Sequence, residues 1–204
     1  MNKVRPQTRI QRKNTEAILE AALSVFSRAG FRGATLDQIA REAGLSKPNL
    51  LYYFPSKEAI HIELLSGLMD VWLAPLHQMD EHGDPIEEIV AYVLRKLEMS
   101  RELPNESRLF ANEIVHGAPR ILDQIKGDLR ALVEEKAAVI QGWIDAGKLA
   151  PLEPRHLLFS IWATTQHYAD FDVQVRGILR PEANAHFNDA AEFLEQFYRR
   201  ALRP

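Results

Sequence analysis

Ser46, Lys47, Asn49 and Tyr52 lie within the seven residues SKPNLLY and bring together an ammonium, a carboxamide and two hydroxyls. Such groups pair with phosphate oxygens and base edges. A second group stands far downstream in WATTQHYADF, where Trp162 and Gln166 are four residues apart. In a helix that spacing puts an indole and a carboxamide on one face. A flat apolar wall beside a side chain that both donates and accepts suits a small planar ring with polar edges. Trp72 is a candidate second wall. The plainer alternative is that both tryptophans are core residues and that Gln166 serves a neighbouring backbone carbonyl.

Charge separates these two groups. Residues 1–57 hold ten Lys/Arg against four Asp/Glu, a balance of +6, and residues 58–204 carry −9. A basic first quarter on an acidic remainder points to a polyanion at one end only. The boundary is expected at 57/58, with a nucleic-acid-binding domain over 1–57 and a second domain over 58–204.

Composition excludes several other classes. The chain has 204 residues with 46% hydrophobic and 26% charged residues, as in globular proteins, and no cysteine. Disulfides and thiolate metal sites are therefore ruled out, and a reducing cytoplasm is expected. His167 and Asp170, even with His116, leave a third metal ligand unspecified by spacing, so no metal is expected. There is no Ser-His-Asp order, glycine-rich phosphate loop or HExxH, so neither an enzyme nor a cofactor is expected. No apolar run approaches the roughly 20 residues that span a bilayer. The basic N-terminus has no apolar stretch behind it, so no secretory signal or membrane partner is expected.

The elements that must position the two groups are helical. Apolar residues recur at i, i+3 and i+4 throughout, and strand-like alternation is nearly absent. The fold class is all-α, with about nine helices. Thr15 is expected to cap the first helix and Gly30 to end it. Thr35 caps a second, which Gly44 ends; Ser46 caps a third, which Pro55 closes. Ser56 opens a long fourth helix running to about Pro75. Further helices are expected at 86–102, 105–116, 120–146, 154–177 and 186–202, forming a bundle with short connections.

Helices two and three have helix-turn-helix spacing. Ile39, Ala40 and Ala43 give the second a small inner face, and Leu50 and Tyr53 continue the core from the third. In such a motif the N-terminal part of the third helix enters the major groove. Ser46, Lys47, Asn49 and Tyr52 then face DNA, with Thr35 at the start of the second helix; Tyr52 might otherwise be a surface aromatic covering Leu51 or Phe54. Lys57, at the start of helix four, could grip a phosphate together with free backbone N–H groups. Arg12 and Lys13, placed in a basic arm with Lys3 and Arg5, could reach the neighbouring backbone or minor groove.

TLDQIAREAGLSKPNLLYYFPSKEAI resembles the DNA-binding signature of the TetR family of one-component repressors, above all in its aromatic-rich third helix followed by FPSKE. That resemblance implies a homodimer on a palindromic operator, released when a small molecule binds the C-terminal domain. DVWLAPL, LEMSRELPNESRLFANEIVHGAP, GDLRALVEEKAAVIQGWIDAGKLAP and WATTQHYADF are similar to a branch of the family that responds to uracil and thymine. The branch implies a planar pyrimidine held by Trp162, Gln166 and Trp72, with Glu113, His167 and Tyr168 as further candidates. A lipid, drug or other metabolite as effector is the alternative. The dimer is expected to use a stripe on the last helix, Phe187, Ala190, Leu194, Phe197, Tyr198 and Ala201, unless that stripe covers the monomer's own core.

Overall fold

The computed structural model describes residues 8–204. The expected arm residues Lys3 and Arg5 lie outside them. Among the described residues there is no strand, and the elements are α1 (Arg9–Gly33), α2 (Leu36–Glu42), α3 (Lys47–Tyr53), α4 (Lys57–His77), α5 (Pro85–Glu102), α6 (Pro104–Val115), α7 (Leu122–Gln124), a π-helical turn (Ile125–Leu129), α8 (Arg130–Asp145), α9 (Pro154–Asp170), α10 (Asp172–Leu179) and α11 (His186–Leu202). The segments from Leu122 to Asp145 are continuous, which leaves ten helical runs. The run expected at 154–177 is two helices, because Phe171 leaves helical geometry (φ −112°, ψ 28°) between α9 and α10.

The chain divides into two compact units, one ending at Leu68 and the other spanning Met69–Pro204. This division falls inside α4 rather than at 57/58. The first turns of α4 pack on the N-terminal unit, where His61 meets the Phe26 ring edge-on at 4.9 Å and Ile60 and Leu65 are fully buried. Trp72 and Leu76, further along the same helix, are buried in the second unit. By length and composition Lys57–His77 is also apolar enough to cross a membrane, although its uninterrupted apolar runs are short.

In the N-terminal unit the first helix starts earlier than expected. Thr8, not Thr15, is its cap, in a reciprocal capping box with Gln11. The intervening Arg, Gln and Lys are good helix formers, so the cap propagates through Arg12 and Lys13. Gly30 (φ 66°, ψ 171°) breaks the helical geometry, as expected, and a short further helical segment runs on to Gly33. Thr35 and Gln38 form a second capping box, and each such cap contributes about 1 kcal/mol.

The turn between α2 and α3 is a Schellman motif. Leu45 N–H bonds the Ala40 carbonyl (2.9 Å) and Gly44 N–H bonds that of Arg41 (3.2 Å), with Gly44 at φ 69°. A side chain there would strain the left-handed backbone, so glycine makes the turn tight. Ser46 then caps α3 through Asn49 N–H, and the fully buried Leu50 locks α3 into the unit.

The second unit is built around α5, α8, α9 and α11, whose core includes Ile89, Val93, Ile140, Leu158, Ile161 and Leu194. The Tyr198 hydroxyl reaches Ser160 (3.2 Å) and Thr164 (2.9 Å), tying α11 to α9. The stripe expected to form the dimer surface is for the most part this core: Phe187, Ala190, Leu194 and Tyr198 are buried within the monomer. Phe197 remains exposed and stacks on Phe193 (6.0 Å, 21°) on another face of α11.

Candidate functional site

The N-terminal unit presents the expected polar groups of α3 on its surface. Ser46, Lys47 and Asn49 are exposed, and Tyr52 is 71% exposed. Its neighbour Tyr53 is half-buried and accepts a 2.7 Å bond from Asn14 of α1. The two rings meet edge-on at 5.2 Å, so consecutive tyrosines divide into an anchor and an outward-facing partner. Gln11 lies 3.4 Å from the Tyr52 hydroxyl, which brings the start of α1 alongside α3. Arg12 and Lys13 follow on that helix and are exposed. They are therefore helical residues beside α3, not members of a free arm.

The Lys47 ammonium rests on Asp37 at 2.8 Å, with both side chains largely exposed. An exposed pair of this kind contributes roughly 0–1 kcal/mol, so exchanging Asp37 for a phosphate costs little. Thr35 already uses its hydroxyl to cap α2.

Lys57 departs from expectation. Its ammonium donates to the carbonyls of Phe31 and Ala34, each at 2.7 Å, and lies 4.5 Å from the centre of the Phe31 ring. It closes the open end of α1 against the start of α4, and two of its three N–H groups are thereby used. Lys57→Met is expected to lower unfolding stability by about 2 kcal/mol in urea melts, from the loss of two charge-assisted bonds to the Phe31 and Ala34 carbonyls. If Lys57 served mainly as a phosphate grip, the variant would instead keep its stability and lose operator affinity.

In the second unit two hydrogen bonds set the register of α9. Trp162 Nε1–H donates to the Tyr92 hydroxyl of α5 at 2.7 Å, and Ser107 of α6 donates to Asp170. Burial pushes the Tyr92 phenol well up and raises the Asp170 carboxyl above its usual range, with the Ser107 bond opposing the second shift. Because α6 follows α5, these contacts make α9 rise alongside α5 in the same direction. One turn past Trp162 is Gln166, and one turn past Tyr92 is Lys96. Gln166 therefore stands at the level of Lys96; it is half-buried and has no hydrogen bond among the described residues. Lys96 is 2% exposed, and its ammonium lies 4.9 Å from the centre of the Trp72 ring. Trp72 is 8% exposed, and its indole N–H has no acceptor among the described residues.

The other expected effector residues are placed elsewhere. Glu113 is buried, but its carboxylate accepts from Arg120 at both the backbone N–H and the guanidinium (2.9 Å each), clasping the loop after α6. His167 is exposed and stacks on Phe171 (4.9 Å). Tyr168 leans on Phe187 at 6.0 Å and packs against the core.

Comparison with known proteins decides the family. The model described as "Bacterial regulatory proteins, tetR family" matches residues 18–64, and that described as "YcdC-like protein, C-terminal region" matches residues 65–204. The chain belongs to the TetR family. It is 50% identical over 193 residues to the HTH-type transcriptional regulator RutR of Escherichia coli K12, covering 93% of this chain and 90% of that one. An uncharacterized HTH-type regulator of Bacillus subtilis, YfiR, is 27% identical over 145 residues (70% of this chain, 71% of that one). Among solved structures, Salmonella enterica GusR superposes with a TM-score of 0.65 at 16% identity (98% of this chain, 99% of that one). AibR in complex with isovaleryl coenzyme A and operator DNA gives 0.68 at 18% identity (90% and 97%).

As a TetR-family regulator the chain is a DNA-binding transcription factor and not an enzyme. Regulators of this family bind operator DNA, respond to small-molecule effectors and act as dimers. The α2–α3 pair is its helix-turn-helix. Sequence reasoning missed Lys96, Tyr92 and the Ser107–Asp170 link. A signal for Lys96 was present, since Ile89, Val93, Lys96 and Ser100 form one stripe of α5, and a lysine in an otherwise core-facing stripe needs a reason to be there.

Proposed function

We propose that this chain is a dimeric repressor that holds a palindromic operator and is released from it by a small planar pyrimidine, uracil or thymine. The observation that carries this reading is the buried Trp72, whose ring lies against Lys96 and whose N–H has no acceptor among the described residues, with Gln166 half-buried one turn past Trp162 and without a hydrogen bond among those residues. A buried polar group left unpaired costs about 1–3 kcal/mol, so the Trp72 N–H is more readily accounted for by a ligand than by packing. Uracil offers flat faces for the indoles and alternating N–H and carbonyl groups for an amide. The 50% identity to the transcriptional regulator RutR over 193 residues supports the branch resemblance on which the pyrimidine reading rests.

On the DNA side, Ser46, Lys47, Asn49 and Tyr52 contact the major groove. Arg12, Lys13 and Thr35 hold the flanking backbone, and Lys57 adds at most one N–H. The regulator works in the cytoplasm, where its operator is. A continuous α4 carries Lys57 near one end and Trp72 near the other, about 22 Å apart at 1.5 Å per residue. Ligand contact at Trp72 shifts that helix, and the two half-site helices of the dimer lose their matched spacing.

Fluorescence anisotropy of labelled operator at fixed salt tests the proposal. Uracil or thymine is expected to weaken binding about 5–150-fold, the usual range of allosteric coupling. Tighter binding on adding uracil would reverse the mechanism, and no effect from either pyrimidine would favour a different effector.

A further inference from the structure

Lys96 is the buried charged group that the pyrimidine reading leaves unused. It has no carboxylate partner: burial alone pushes its ammonium down to about 7, with no charged neighbour contributing. Its immediate neighbour is the Trp72 ring, whose own N–H is also unpaired. Two buried donors thus lie within one indole of each other, with no acceptor for either among the described residues. An unpaired buried lysine is costly and a methionine of similar volume would pack there more cheaply, so packing alone does not account for it.

We propose that Lys96 and the Trp72 N–H form an acceptor subsite of the effector pocket, one that takes an electron-rich oxygen (a ring carbonyl or a carboxylate) and rejects planar ligands bearing only donors. The inference rests on the proposed effector site but commits to a chemistry that site does not specify. The Trp72 face holds the ammonium, the indole N–H supplies a second donor, and the oxygen that lands between them satisfies both. Gln166 is left to read the adjacent edge, where donor and acceptor alternate. A ligand with an amine where uracil has this carbonyl would place donor against donor.

Isothermal titration calorimetry on the full chain, without DNA, uses three flat probes: uracil, benzoate (acceptors only) and benzamidine (donors only). Uracil and benzoate are expected to bind and benzamidine not. Lys96→Met is expected to weaken uracil about tenfold to a hundredfold, the range for hydrogen bonds to charged groups, and to abolish benzoate binding. A melting curve at least as high as that of the parent chain would show that Lys96→Met still folds, as expected when methionine replaces an unpaired charge. Trp72→Phe keeps an aromatic face under the ammonium but removes the N–H, and is expected to weaken uracil about threefold to tenfold. Lys96-dependent benzoate binding without uracil binding would uphold the subsite and overturn the pyrimidine reading. Uracil binding left within twofold by Lys96→Met would do the opposite. Benzamidine binding as well as benzoate, or no binding by either acceptor probe, overturns the subsite.

Discussion

Replacing Phe193 and Phe197 together by aspartate is expected to leave a folded monomer that binds operator at least about a hundredfold more weakly. The two rings are 61% and 48% exposed and stack on each other, on a face of α11 that the core does not use. Monomeric proteins rarely leave contiguous aromatic area in water, and burying each ring contributes about 1.5–3 kcal/mol. On a twofold interface each substitution appears twice, so four carboxylates would meet a surface that has lost its apolar contact. The core residues of α11, Leu194 and Tyr198, are retained; Tyr198 loses only its edge-on contact with Phe197, and the fold survives. A monomer presents one recognition helix and forfeits the second half-site. Light scattering gives the mass, circular dichroism the fold and anisotropy the affinity. A dimer that persists would move the interface away from these phenylalanines.

The second large effect is expected at Gln166. Gln166→Ala removes a half-buried carboxamide with no hydrogen bond among the described residues, so the melting temperature and the operator affinity without ligand are expected to change little. Stability moves within about 0.5 kcal/mol, as for substitutions that break no internal contact. The effector loses two hydrogen bonds of about 0.5–1.5 kcal/mol each, which weakens its binding roughly tenfold or more. At uracil concentrations that release the parent protein from operator, the variant remains bound. Release at an unchanged concentration would remove Gln166 from the pocket, and loss of operator binding without ligand would show that the residue supports the fold.

Local signals in this chain were read correctly where the chemistry itself is local. Thr35, Gly44 and Ser46 mark cap, turn and cap because a side-chain oxygen two or three residues from a free N–H, and a glycine at positive φ, need only near neighbours. The division between Tyr52 and Tyr53 follows from 3.6-residue periodicity in the same way. The start of α1 was misplaced because two threonines compete as caps. Thr8 prevails through its reciprocal bond with Gln11, and Thr15 lies half-buried inside the helix.

Residues whose partners lie far along the chain were read less well. Lys57 looked like a phosphate ligand, but its ammonium is held by carbonyls 23 and 26 residues earlier. Glu113 looked buried and available; it is buried, and Arg120 occupies it. The apolar stripe of α11 had an inner and an outer set of aromatics, and spacing alone did not say which faces the core.

The amino-acid sequence by itself determined an all-helical chain, a basic helix-turn-helix with exposed polar side chains on its second helix, and the spacing of an indole and a carboxamide at 162 and 166. Helical period, caps and charge are properties of neighbouring residues, and they survive whatever the chain packs against. Only the tertiary structure decided that Trp162 is held by Tyr92, that Gln166 stands level with Lys96, and that the Lys96 ammonium lies against Trp72, whose N–H has no acceptor among the described residues. The third is a contact of α4 with α5, and the first two depend on the register of α9 against α5. Long-range hydrogen bonds set that register, and no spacing within either helix encodes it.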